Sequence, residues 1–313
     1  MTGVEISVVI PVKDEEASID SCIDRLKPVL ETIAGAAFEI LFVDDGSSDS
    51  TLERIRRQNS ADPRVRAVSL SRNFGKEAAL SAGLDFARGQ AVVPLDVDLQ
   101  DPPEVLPEMV ARWRDGFEIV YGVRSDRRAD SLPKRLTADL YYRAHNLLSE
   151  DKIPEHAGDF RLLDRKVVDV IRSMPERNRF MKGLFAWAGF KQASVSYTRD
   201  ARSVGSSKFR YRRLWSFALD GITSASTIPL RVWSYIGASV AILALAYAVL
   251  IVIRTLMFGI AVPGYASLMV AVLFLGGLQL LSLGILGEYV GRIFTETKQR
   301  PVYVVRETIG DTP

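Results

Sequence analysis

AVVPLDVDLQDPP, residues 91–103, opens as an apolar run and closes in acid: Ala91-Val92-Val93 leads into Asp96, Asp98 and Asp101, with Gln100 between them. A short apolar, β-branched run bounded by turn residues reads as a buried strand. Three earlier stretches repeat the pattern: EISVVIPV (5–12), FEILFVD (38–44) and RVRAVSL (64–70). Each of the four is followed by helical spacing, over Glu15–Ile33, Thr51–Gln58, Lys76–Arg88 and Glu104–Arg114. Strand and helix in alternation predict an α/β fold with a mostly parallel sheet and helices on both faces. Ligands of such sheets bind beyond the carboxyl ends of the strands, and these are the places where acids follow the strands here.

In an extended chain residues i, i+2 and i+4 share a face. Asp96, Asp98 and Gln100 are therefore expected to project together from the end of the fourth strand. Carboxylate and amide oxygens suit a hard divalent cation, Mg2+ or Mn2+, which binds through one or two protein carboxylates plus phosphate oxygens. A cation also gives two adjacent like charges a reason to coexist. After the second strand, DDGSSDST (44–51) turns tightly into a helix. Ser48 or Asp49 is expected to cap that helix, which leaves the adjacent pair Asp44 and Asp45 to accept hydrogen bonds from a base N–H or a ribose hydroxyl. After the first strand, Asp14 reads as a helix N-cap, with Glu15 and Glu16 in the first turn.

The chain has 313 residues, 48% hydrophobic and 25% charged, with a formal net charge of +2, which is too small to point to nucleic acid. The single cysteine, Cys22, cannot form an internal disulfide and reads as a small buried hydrophobe. MTGVEISVVIPV has no basic leader and is expected to enter the first strand directly. Hydropathy changes near residue 232. No charged residue lies between Arg231 and Arg254 or from Thr255 to Gly287, and each stretch reaches the roughly 20 apolar residues that cross a bilayer. Two transmembrane helices around Pro263-Gly264 are expected. Lys208, Arg210, Arg212, Arg213 and Arg231 before them, and Arg292, Lys298 and Arg300 after them, put both ends on the cytoplasmic side. Leu214, Trp215, Phe217, Ala218 and Ile222 suggest an amphipathic helix at the membrane surface, Trp233 and Tyr235 its aromatic anchors, and Glu288 and Arg292 a local i,i+4 pair.

Four motifs in order, VVIPVKDEE, FVDDGSSDST, LSRNFGKEAAL and PLDVDLQDPPE, resemble those of the family 2 inverting glycosyltransferases, whose glycosyltransferase A fold is a Rossmann-like α/β sheet. AGDFRLLDR, GSSKFRYRRL and LGILGEYVGRIFTETKQRPVYVV narrow the likeness to the polyprenyl-phosphate glycosyltransferases, including dolichyl-phosphate mannose synthases and, more closely, bactoprenol glucosyltransferases. The resemblance covers the whole chain. It implies a catalytic domain at 1–208, amphipathic juxtamembrane helices at 209–231, a transmembrane hairpin at 232–291 and a cytoplasmic tail at 292–313. It further implies a nucleotide-sugar pocket lined by Pro11, Asp14, Glu15, Asp44, Asp45, Lys76 and Asp96, and a metal site of Asp96, Asp98 and Gln100. Asp159 corresponds to the acid near the reacting centre, with Asp98, Arg202 and Lys208 beside the chemistry. Arg124, Arg135, Arg202 and Lys208 are the cations expected to grip the acceptor phosphate.

The reaction so implied moves a hexose, glucose by preference, from a UDP-sugar to undecaprenyl or another polyprenyl phosphate at the cytoplasmic face of a bacterial inner membrane. GDP-mannose, UDP-N-acetylhexosamine and a modified arabinose stay open as donors. A homo-oligomer, as large as a tetramer, is also expected. Processive polysaccharide synthases share the early motifs but carry a Gln-x-x-Arg-Trp motif and more membrane spans, neither of which appears here. A non-catalytic scaffold is disfavoured by the presence of both Asp96 and Asp98. His145 and His156 have no metal-like partners and no assigned role.

Overall fold

A computed structural model describes residues 3–124, 157–198 apart from 178 and 180, 228–258 and 264–310. Four strands, β1 (Ile6–Val12), β2 (Phe38–Asp44), β3 (Val65–Leu70) and β4 (Ala91–Pro94), lie where the apolar runs predict them. Between them run α1 (Ile19–Ala34), α2 (Thr51–Ala61) and α3 (Lys76–Phe86), and a 3-10 turn at Pro103–Val105 leads into α4 (Leu106–Arg114). The remaining elements are β5 (Ile119–Arg124), β6 (Ala157–Asp164), α5 (Arg165–Ser173), α6 (Met181–Trp187), β7 (Gln192–Tyr197), α7 (Ile228–Phe258), α8 (Tyr265–Thr297) and β8 (Val305–Ile309).

The eight strands form one sheet in the order β7-β5-β6-β4-β1-β2-β3-β8. β1 pairs in parallel with β2 and β4, β2 with β3, and β5 with β7, whereas β6 runs antiparallel to β4 and β5, and β8 antiparallel to β3. The mixed sheet with its parallel centre is the expected Rossmann-like α/β architecture. β2, β3 and β4 are buried along their whole length because helices cover both faces. The pleat divides their side chains: Ile6, Val8 and Ile10 pack towards Leu26 and Leu30 of α1, Ile55 of α2 and Met109 of α4. Val9, Leu41 and Val43 pack towards Ala79, Ala82 and Leu84 of α3, with Val168 and Ile171 of α5 on the same side. α3 lies so close to the sheet that a Cβ at Gly83 would sit 2.0 Å from Val9 Cγ1, so this helix is built of small residues.

Two details differ from the sequence reading. α1 begins at Ile19 rather than at Glu15, with Ser18 at its N-cap position, and Asp14 stands in the preceding loop with φ 53. β4 ends at Pro94, the chain turns at Val97-Asp98, and Leu99 takes φ 47. The extended strand that was to align Asp96, Asp98 and Gln100 is thus replaced by a turn, closed by a hydrogen bond from Leu99 N–H to Asp96 O at 3.1 Å.

α7 and α8 span 31 and 33 residues. Among the described residues, Phe274–Thr297 is the segment long and apolar enough to cross a membrane, with a mean hydropathy of 1.3 and none of it buried within the chain. Tyr235–Ala244 is a shorter apolar stretch of α7. Glu288 and Arg292 form the expected local pair at 3.2 Å. The segment expected to be a tail does not end with the helix: residues 305–309 return to the sheet as β8, covering the edge of β3. Residues 209–227 of the expected amphipathic segment lie outside the described residues, and 228–231 open α7.

Candidate functional site

β4 lies beside β1 and β1 beside β2, and crossovers leave β1 in both directions, so a crevice opens beyond their carboxyl ends. Pro11, Lys76, Leu80, Pro94, Leu95, Asp96, Asp101 and Phe160 line it. The Lys76 ammonium stands 2.7 Å from Asp96 Oδ1. Both side chains are more than a third exposed, 47% for Lys76 and 39% for Asp96, so the contact contributes little to stability. A charge pair held open to solvent at a cleft is available to a ligand: the lysine can turn to an anionic group while the acid meets a cation.

The loop after β2 is held from within. Asp44 is 2% exposed and accepts from Ser47 N–H at 2.9 Å and from the Ser69 hydroxyl at 2.8 Å. Asp45 is 5% exposed and takes Phe74 N–H at 2.7 Å on one oxygen and Gly75 N–H at 2.9 Å on the other. Asp45 therefore fixes the loop that delivers Lys76 to the first turn of α3. Gly46, with φ +66, lets the β2 and β3 loops touch, since a Cβ there would lie 2.6 Å from the Arg72 carbonyl carbon. Each carboxylate oxygen keeps a second lone pair, so these bonds leave the pair some capacity for a base or ribose.

The loop after β1 interlocks with the same turn. Asp14 Oδ1 accepts from Ser48 N–H at 2.7 Å and from the Ser48 hydroxyl at 3.1 Å, and the first of these bonds holds the Asp14 carboxyl below the usual carboxylate range. Asp14 N–H gives to Ser47 Oγ and Glu15 N–H to Thr51 Oγ1, both at 2.9 Å. The N-cap position of α2 is Ser50 rather than Ser48 or Asp49, and Asp49 takes both the N–H and the hydroxyl of Thr51, at 3.0 and 2.6 Å. Burial pushes its carboxyl up, but these two bonds and the one from Glu16 N–H outweigh it and leave it below the ordinary value.

At the β4 end, Asp98 Oδ1 accepts from Gln100 N–H at 3.3 Å, and Gln100 is buried. Among the described residues no cluster of three or more His, Cys, Asp or Glu side chains forms a metal cage. Two acids, one of them open to the cleft, fit an ion that takes one or two protein carboxylates and completes its shell with phosphate and water, as Mg2+ and Mn2+ do. Cys22, buried in α1, has its thiol pushed up to about 12 by burial and then by the charge of Asp98. It stays protonated as a buried hydrophobe of the helix.

β6 is antiparallel, so it begins at the crevice end of the sheet. Asp159 lies in this first part, next to Phe160, and β5 ends at Arg124, one residue beyond the pairing of Val123 with Ala157. Arg135, Arg202 and Lys208 lie outside the described residues. One contact of the site had no counterpart in the sequence reading: Asp101, 5% exposed, takes the Tyr197 hydroxyl at 2.5 Å, and Tyr197 packs edge-on against Phe160 with ring centroids 5.7 Å apart. This ties the acidic loop to the end of β7, immediately before the basic segment that starts at Arg199. An acid placed three residues beyond Asp98 was the available signal, but its partner lies 96 residues away.

Residues 7–172 match the family described as glycosyl transferase family 2, and residues 228–293 match one described as GtrB C-terminal hairpin. An uncharacterized glycosyltransferase of Synechocystis is 50% identical over 307 residues, covering 98% of this chain and 96% of the relative. A bactoprenol glucosyl transferase of Shigella phage SfV is 49% identical over 302 residues, covering 96% and 98%. Among solved structures, glucosyl-3-phosphoglycerate synthase from Mycobacterium tuberculosis, in complex with Mn2+, UDP-glucose and phosphoglyceric acid, shares the fold with a TM-score of 0.51 at 23% identity, covering 69% of this chain and 76% of that one.

Proposed function

Since the chain belongs to glycosyl transferase family 2 and is a glycosyltransferase of the glycosyltransferase A fold, we propose that it transfers glucose from UDP-glucose to a polyprenyl phosphate at a membrane surface, with inversion. The observation that carries this reading is one chain holding both an acid-and-lysine crevice and a long apolar helix, with a match to the GtrB C-terminal hairpin, 49% identical throughout to a bactoprenol glucosyl transferase. An apolar helix of this length supports an acceptor that is itself held in a membrane.

On this reading Pro11, Asp14, Glu15, Asp44 and Asp45 form the nucleotide side of the crevice, the two buried acids accepting from base and ribose through their remaining lone pairs. Lys76 meets the donor phosphates. Asp96 and Asp98, with Gln100, hold Mg2+ or Mn2+, which when bound neutralises charge on the leaving diphosphate. An acceptor phosphate oxygen attacks the anomeric carbon from the face opposite the diphosphate. A new carbon–oxygen bond forms as the old one breaks, and the nucleoside diphosphate leaves with the electron pair, its growing charge met by Lys76. A phosphomonoester has a second pKa of about 6, so the nucleophile is already ionised at neutral pH and no strong base is required. Asp159 then orients the acceptor or a neighbouring arginine, and Arg124, Arg135, Arg202 and Lys208 bind the acceptor phosphate.

The hairpin spans the inner membrane with both ends cytoplasmic, and its exposed apolar surface supports a homo-oligomer. The test is transfer by the purified full-length protein in detergent, with undecaprenyl phosphate, Mg2+ or Mn2+, and radiolabelled UDP-glucose beside other UDP- and GDP-sugars. Label from UDP-glucose in the lipid fraction, lost in Asp96→Ala, is the expected result. No lipid product from any donor, with donor binding intact, overturns the reading.

A further inference from the structure

The end of α8 is attached to the catalytic sheet at two places, and both converge on α3. At the first, the Glu296 carboxylate in the last turn of α8 takes Arg177 N–H on both oxygens, each at 3.0 Å. Four residues further on, Met181 N–H gives to Glu77 Oε2 at 3.2 Å. Glu77 follows Lys76 in the first turn of α3. At the second, the chain beyond α8 passes along the opposite end of the same segment. The Tyr303 hydroxyl donates to Asp85 Oδ2 near the end of α3 at 2.6 Å, and Ser71 N–H, at the start of the Lys76 loop, donates to Val304 O at 2.8 Å. β8 then seals the edge of β3, and its outer face adds Glu307, 2.8 Å from Arg56 of α2.

Covering a sheet edge explains β8 and the Ser71–Val304 bond that extends its pairing, but not the contacts of Glu296 and Tyr303, which reach the two ends of α3. The geometry points to Glu296 and Tyr303 as positioning residues that set α3, and with it Lys76, from the membrane end of the hairpin. The membrane helix and the donor crevice are thus parts of one braced unit. Burial and its bond to Asp85 raise the Tyr303 hydroxyl above its ordinary value, so it stays a donor at any working pH. This inference rests on the reading of Lys76 as a donor-phosphate contact.

The experiment compares the full-length wild type with Glu296→Ala, Tyr303→Phe, the double variant and Glu296→Gln, which keeps an acceptor oxygen. Hydrogen exchange of residues 71–80 needs no donor and reads the brace alone. It is expected to speed up in Glu296→Ala and in the double variant, and to return towards wild type in Glu296→Gln. Loss of one or two such hydrogen bonds corresponds to a fall of about threefold to tenfold in kcat/KM for UDP-glucose, because Lys76 meets the donor diphosphate both when it is bound and as it leaves. Unchanged exchange, or an unchanged kcat/KM, in the double variant overturns the inference. Lys76→Ala separates the two readings. If it leaves donor affinity and kcat unchanged, the assignment of Lys76 to the donor falls, whereas a weakened Lys76→Ala beside a double variant of wild-type kcat/KM sinks the brace alone.

Discussion

Asp45→Ala probes whether the acid pair after β2 builds the site or only lines it. The carboxylate is 5% exposed and accepts one backbone N–H on each oxygen, from Phe74 and Gly75. Hydrogen bonds to a charged group contribute about 1.5–3 kcal/mol each, and their loss leaves two donors without an acceptor. Partial relaxation of the loop recovers some of this, so a net cost of about 3–4 kcal/mol is expected at the low end of that range. For a chain of this size each kcal/mol lowers Tm by roughly 2–4 °C, giving a fall of about 6–16 °C. Asp45→Asn keeps a single acceptor oxygen and should fall about midway. The measurement is thermal unfolding of the full-length protein in detergent, followed by tryptophan fluorescence, alongside UDP affinity in Mg2+. The brace predicts that Tm and nucleotide affinity fall together across the two variants. If Asp45→Ala keeps its Tm within about 2 °C, less than one bond's worth, while losing UDP binding, the carboxylate serves the ligand and not the loop, and the reasoning fails.

Glu39 and Arg66 form an ion pair buried at the amino-terminal end of the sheet, with Ser7 Oγ and Arg88 N–H completing the carboxylate's partners at 2.5 and 2.7 Å. Glu39→Ala strands a buried arginine and should cost about 3–5 kcal/mol, seen as a lower Tm with KM for the donor unchanged; an unaltered Tm would show that the pair contributes nothing. Asp159→Asn should keep much of the transfer activity if the acid orients its neighbours, and near-complete loss at unchanged acceptor KM would make it a base. Asp49 has a folded pKa depressed below 3.8, so its contribution to stability is full above pH 4 and drains away as pH falls through that value. Asp49→Asn should therefore lose less Tm than wild type between pH 6 and pH 3, and parallel curves would contradict the assignment.

The parallel half of the sheet was legible because its strands are buried on both faces and so read as continuous apolar runs, separated by helices whose periodicity is clear. β6 and β8 were not. In AGDFRLLD a cation, Arg161, is buried against the ring of Phe185 at 4.3 Å, so the strand carries charge where its burial would demand none. VRETI lies on an edge with every second residue facing solvent, a pattern too short to stand apart from a polar tail. Nothing within five residues can say that a chain leaving a membrane helix will pair with a strand some 235 positions earlier; that follows from where α8 ends, a property of the assembled fold.

The site divides along the same line. Acids following strands located the crevice, and the structure gathers Pro11, Lys76 and Asp96 there. The pleat argument nevertheless failed at the residues it was meant for, because two-residue alternation holds only while the chain stays extended, and the bonding to β1 stops at Leu95 before the turn at Val97-Asp98. What the turn does in its place is separate the acids by task. Asp96 faces the cleft and Lys76, Asp98 closes the loop onto Gln100, and Asp101 turns inward to Tyr197. Of three carboxylates within six residues, Asp96 and Asp98 thus stay partly open to solvent, while the buried Asp101 ties their loop to β7. On the proposed reading Asp96 would hold the metal ion and Lys76, released from it, would meet the donor diphosphate, so that the crevice would receive a cation and an anion together.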